Sequence, residues 1–148
     1  MNKLWILLPI LMIFGFSKKG EVSPKDLQGT WVLQAEEISE SSSKKIIAKK
    51  FISDTHFTWT KYDEEGTLIA LAGGTYMLEE GGIYTEKIEY AFPKGSTILG
   101  ASIPFDCQIA EKSWKHSGFI QHREANLETG EREITRTERV TEVWKKID

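Results

Sequence analysis

Apolar and polar residues alternate with a period of two along most of this chain, and no long stretch of the folded part carries a helical period. A first strand is predicted over residues 30–38. Its alternation puts Trp31, Leu33 and Ala35 on one face and Thr30, Val32 and Gln34 on the other. Residues 39–45 are polar and serine-rich and read as a mobile loop. Strands follow over 46–52 and 55–62, the second dense in β-favouring residues. Asp63-Glu64-Glu65-Gly66 makes a hairpin turn. Residues 67–72 and 75–78 are extended pieces broken by Gly73-Gly74. A turn at Glu79-Glu80-Gly81-Gly82 leads to a strand over 83–91. Residues 92–100 are the longest interruption of the second half. Strands over 102–110 and 113–121 pair across Glu111-Lys112, residues 122–132 form a polar connector, and a last strand runs over 133–147.

This makes eight to ten short strands joined by tight, glycine-marked turns, with no crossover helices. The fold class is all-β, an antiparallel up-and-down meander that closes into a barrel and so removes its unpaired edges. A two-layer sandwich is the structural rival. It needs long crossing connections, and residues 92–100 are the one candidate.

The first residues differ from the rest. One cation, Lys3, precedes an apolar run over 4–16, and Ser17-Lys18-Lys19 ends it. That pattern fits a secretory signal peptide over 1–17, and the run is shorter than the ~18–20 residues a spanning helix needs. An uncleaved anchor is the competing reading. No cysteine follows the run, so a lipoprotein anchor is excluded. A lead-in over 18–28 carries one expected helical turn at 25–28, and one barrel domain covers 29–148. Export to the periplasm or beyond is the expected localisation, with no membrane span in the mature protein.

Among 148 residues, 22 are acidic and 19 basic, a net charge of -3 that gives no basic stripe for nucleic acid. Five Trp, four Tyr and seven Phe supply the bulk of a β-rich core. The single cysteine, Cys107, shares an apolar face with Ile103, Phe105 and Ile109 and reads as a buried, inert thiol. It rules out an internal disulfide and cysteine-based metal sites. No cofactor or metal is expected. His116 and His122, six residues apart, would share a face only if their strand ran unbroken to His122.

Gly29-Thr30-Trp31 at the head of the first strand resembles the opening motif of the lipocalin and fatty-acid-binding-protein superfamily. So do further segments, in order, of a group of small secreted bacterial lipocalin-like proteins. These are Thr55-His56-Phe57-Thr58-Trp59, Ala72-Gly73-Gly74-Thr75-Tyr76 and Tyr84-Thr85-Glu86-Lys87-Ile88-Glu89-Tyr90. Ile103-Pro104-Phe105, Trp114-Lys115-His116-Ser117-Gly118 and Glu142-Val143-Trp144 complete the set. The resemblance spans residues 29–147. It implies a lipocalin-like barrel with Trp31 plugging the closed end, and it implies no activity. It also implies an arginine stacked on that tryptophan, for which Arg136 and Arg139 are both candidates.

Polar residues on the inward face of a small barrel are informative, because burying them unpaired costs several kcal/mol, on the order of a lost hydrogen bond or more. Alternation places Tyr84, Glu86, Ile88 and Tyr90 on one face, Trp114 and His116 on another, and Val140, Glu142 and Trp144 on a third. With Tyr76 and with Phe57 and Trp59 as walls, these form a candidate binding cluster. It could fix the polar head of an amphipathic ligand. It could equally be a structural network satisfied from within. An acid–base pair of Glu86 and His116 is the enzymatic alternative, although the chain carries no Gly-x-Ser-x-Gly, no His-Glu-x-x-His and no phosphate loop. The readings in order are an exported barrel binding a small hydrophobic or amphipathic molecule, a filled structural or interaction barrel of the cell envelope, and a small barrel enzyme.

Overall fold

The computed structural model describes residues 22–38 and 46–148. The apolar leader and the loop expected over 39–45 lie outside the described residues. One short helix, α1 (Pro24–Leu27), precedes eight strands: β1 (Gly29–Ile38), β2 (Ile47–Ile52), β3 (His56–Tyr62), β4 (Leu68–Glu79), β5 (Ile83–Phe92), β6 (Ser102–Ala110), β7 (Ser113–Ala125) and β8 (Arg132–Lys146). Each strand pairs antiparallel with the next, and β8 returns to β1, from Trp31↔Lys146 to Ile38↔Val140. The sheet is a closed up-and-down barrel, so the sandwich is not formed.

Sequence and structure part at four bulges, where one extra residue reverses the alternation downstream. In β1 the register shifts between Leu33 and Ala35. Ala35 therefore turns outward and Glu36 takes the inward position predicted for it. In β5 the pairing steps from Ile88 to Tyr90 opposite Gly74 and Gly73, leaving Glu89 extra. Tyr90, expected inside, ends up on the outer face, 46% exposed, with its hydroxyl on Thr58 Oγ1 at 2.5 Å. Gly73-Gly74 does not break β4. A side chain at Gly73 would strike the Tyr90 hydroxyl, and one at Gly74 would meet the Lys87 carbonyl at 2.0 Å. The two glycines are where β5 presses closest on a continuous strand. The remaining shifts, at Lys61/Tyr62 and His122/Arg123, lie near the opposite end. The predicted connector over 122–132 is shorter than expected, because β7 runs on to Ala125.

The end of the barrel where β1 begins is filled with rings. Trp31 is fully buried and packs edge-on to Trp114 with centroids 5.3 Å apart, and Tyr84 meets Trp114 at 5.1 Å. The α1 turn closes this end from below. Asp26 accepts hydrogen bonds from the Ser23 amide and hydroxyl, which fixes the turn, and Leu27 is buried. The Leu27 carbonyl accepts the Trp31 indole N–H at 2.7 Å. Asp148 clamps the seam by accepting from the Thr30 amide and hydroxyl, both at 2.6 Å. The cation over the Trp31 ring is neither candidate arginine. It is Lys146, with Nζ 5.4 Å from the ring centroid, because β8 puts Lys146 opposite Trp31. Among the described residues no helix is long and apolar enough to cross a membrane.

Substituting Gly74 with alanine drives a Cβ into the Lys87 carbonyl. It is expected to cost about 1–3 kcal/mol by overpacking, read as a lower urea midpoint at unchanged slope.

Candidate functional site

Six of the eight strands, β1, β2, β3, β5, β7 and β8, send a charged or polar group into the middle of the barrel. In β2 the inward set is Ala48, Lys50 and Ile52, with Ile47, Lys49 and Phe51 facing out. From β5 come Tyr84, Glu86 and Ile88, and from β7 Trp114 and His116. Val140, Glu142 and Trp144 point in from β8. Glu36 follows the β1 bulge inward, and Lys61 continues the face of Phe57 and Trp59 on β3.

The lower part of this interior is a closed network. Lys50 is 1% exposed, and its Nζ donates to Glu86 Oε1 at 2.8 Å. The same ammonium lies 3.9 Å from Glu142 Oε2, 4.8 Å from the Trp144 ring centroid and 5.1 Å from that of Trp114. Glu142 Oε2 is 2.5 Å from His116 Nε2 and accepts the Trp144 indole N–H at 3.0 Å. His116 stacks on Phe105 with centroids 4.3 Å apart.

Its protonation follows from geometry. His116 Nδ1 is buried with no hydrogen-bond partner among the described residues, so a proton there would be a stranded donor. We assign the neutral ring with its hydrogen on Nε2, donated to Glu142. Burial, reinforced by the Lys50 charge, lowers the His116 pKa despite Glu142. Burial opposes the Glu142 carboxylate, but the His116 hydrogen bond and the Lys50 charge outweigh it and hold that carboxyl far below its ordinary range.

Above the network lies a cavity of about 250 Å³. Trp59, Ile103, Phe105, Ile120, Val140 and Trp144 supply apolar wall. Glu86, Lys50 and Glu142 border it from below. Lys61 pairs with Glu36 on one side and reaches to 3.9 Å from Glu142 Oε1. The connection after β5 covers the top. Thr97 Oγ1 bonds His122 Nδ1 at 2.7 Å, and the Arg123 amide donates to the Thr97 carbonyl at 2.8 Å. The Arg132 guanidinium donates to the Ser96 and Leu99 carbonyls, which pins this cap to β8. His122 shares the inward side of β7 with His116, since the strand runs through it, and bonds Glu138 Oε2 at 3.0 Å. Among the described residues no three His, Cys, Asp or Glu side chains are grouped to hold a metal ion.

The predicted site residues fall on three levels. Trp59, Glu86 and Glu142 border the cavity. Phe57, Tyr76, Tyr84, Trp114 and His116 are buried beneath it, Tyr76 with its hydroxyl on the Ser53 carbonyl at 2.8 Å. Tyr90 is outside. The envisaged Glu86–His116 pair is replaced by two others, Glu86 with Lys50 and His116 with Glu142. Sequence reasoning missed Lys50, Lys61 and Glu36. Lys61 was readable from the alternation that places Phe57 and Trp59 together.

Fold and site define a class: a small antiparallel barrel with a ring-filled closed end, an internal ion-pair network and a capped cavity above it. The chain belongs to the family described as Domain of unknown function (DUF4488), whose profile matches residues 26–148. Comparison with curated proteins finds no match.

Lys50→Met leaves Glu86 buried without its partner and is expected to cost about 3–5 kcal/mol in denaturant unfolding. Adding Glu86→Leu should recover most of that loss; a double variant as unstable as the single would show that the pair does not act as a unit. Acid should weaken the fold in two stages. A His116 pKa depressed by folding means the unfolded chain binds more protons, so stability falls as pH drops below about 6.5. The depressed Glu142 carboxyl acts with the same sign below about 4.5. Unfolding free energies measured from pH 8 to pH 4 should fall, and His116→Gln should flatten the stage above pH 5.

Proposed function

We propose that this chain is an exported binding protein that holds a small amphipathic molecule in the capped half of its barrel. The observation that carries the reading is the cavity itself. Apolar and aromatic side chains form its walls, and charged groups gather at one end. This is the composition of a ligand pocket rather than of a close-packed core. At about 250 Å³ it would hold about eight waters, or an organic molecule of on the order of ten non-hydrogen atoms. That is below the size of a long-chain fatty acid, so a compact ligand fits the reading better than an acyl chain. The apolar leader over residues 4–16 supports export. The lipocalin-like ancestry suggested by the opening Gly29-Thr30-Trp31 supports a binding role by analogy.

A second reading is a structural barrel of the cell envelope. The internally matched pairs Lys50–Glu86 and His116–Glu142 favour it, because such a network needs no ligand to be satisfied. The two readings divide the interior between them: the lower network is structural in both, and only the cavity separates them.

Native mass spectrometry of the protein purified from its own cells is expected to show an added mass that disappears on denaturation. A bare protein mass in every preparation, with an unchanged cap over the cavity by amide exchange, would favour the structural barrel.

A further inference from the structure

We propose that the cavity selects a small organic cation, an ammonium carried on a compact apolar body, over neutral and anionic molecules of the same shape. The inference rests on the ligand-binding reading above and adds the charge class of the ligand.

Three carboxylates border the cavity around its charged end, Glu36, Glu86 and Glu142, and two ammonium groups face them, Lys50 and Lys61. Lys50 is committed to Glu86 at 2.8 Å. Lys61 is shared between Glu36 and Glu142. The fourth wall carboxylate, Glu138, has its own partners, His122 at 3.0 Å and Arg136 at 3.5 Å. His116 is neutral and lies beneath the cavity. Among the described residues, one negative charge of Glu36 and Glu142 is therefore left without a cation of its own. Uncompensated charge on largely buried side chains is costly, so the site gains most from a ligand that brings the missing cation. Burial first, and Glu142 after it, push the Glu36 carboxyl up against the pull of Lys61, in keeping with this count.

The walls point the same way. Cations already sit over two of the cavity's rings: Lys61 Nζ is 5.7 Å from the Trp59 centroid, and Lys50 Nζ is 4.8 Å from that of Trp144. Electron-rich ring faces stabilise an ammonium and give nothing to an anion. A bound carboxylate would meet three others, and a neutral molecule would leave the imbalance in place.

Three probes of one shape test this: benzylammonium, benzyl alcohol and benzoate, titrated into the full-length mature protein while the indole N–H resonances of Trp59 and Trp144 are followed. Benzylammonium is expected to bind about tenfold tighter than benzyl alcohol, with benzoate weakest. The ratio of the first two affinities, measured within one protein, cancels any general loss of folding. It should fall towards unity in Glu36→Gln and rise in Lys61→Met. Benzyl alcohol or benzoate binding as tightly as benzylammonium, or a ratio unmoved by both variants, overturns the charge inference and leaves small-molecule binding standing. If none of the three shifts either indole at millimolar concentration, the binding reading falls and the charge inference with it.

Discussion

An ammonium group enclosed by indole rings has given up its water and needs a carboxylate beside it, and that constraint organises the interior of this barrel. Lys50 is buried between Trp114 and Trp144, where losing water costs several kcal/mol, on the order that only direct pairing can offset. Glu86 supplies the bond. Glu142, the next carboxylate, is then available to His116, Trp144 and Lys61. The strands contributing these groups are β1, β2, β3, β5, β7 and β8. A slip of one residue in any of them would strand a charge inside. The pairs therefore act on register more than on net stability, since a buried ion pair is roughly offset by its own desolvation.

The barrel itself was legible. Period-two alternation and glycine turns gave eight to ten antiparallel strands in sequence; the barrel has eight, with the pieces over 67–72 and 75–78 joined into β4, and the other strand bounds agree within a few residues. What the pattern could not show was where the alternation changes phase. Ala35 and Tyr90 were assigned inside because a strand without a bulge would put them there. The extra residue near Gln34 and the one at Glu89 reverse them, and a bulge leaves no composition signal when its residues are ordinary strand formers. Gly73-Gly74 was a signal of the second bulge, taken for a break.

Lys50 was hidden for a different reason. Ile47-Lys49-Phe51 and Ala48-Lys50-Ile52 both place one lysine between two apolar residues, and the first set is the more apolar. Packing decides the phase. The interior is already crowded by Trp31, Trp114 and Trp144, so small Ala48 fits inside, whereas Ile47 and Phe51 stay 41% and 45% exposed. Hydrophobicity ranks the two faces the wrong way round; volume and charge pairing rank them correctly. The same economy splits the predicted site. Rings of Tyr84, Trp114 and His116 fill the closed end, and the working space is left higher up, between Trp59, Glu142 and the cap pinned by Arg132.

The buried position of Lys50 can be tested by amine acetylation of the folded protein, read residue by residue by mass spectrometry. Its neighbour Lys49, on the outer face, serves as the internal control. Lys49 is expected to react within minutes, while Lys50 stays unmodified until the protein is unfolded. Acetylation of Lys50 as fast as Lys49 in the native state would mean that β2 presents its other face to the barrel. The ion-pair network at its centre would then not exist.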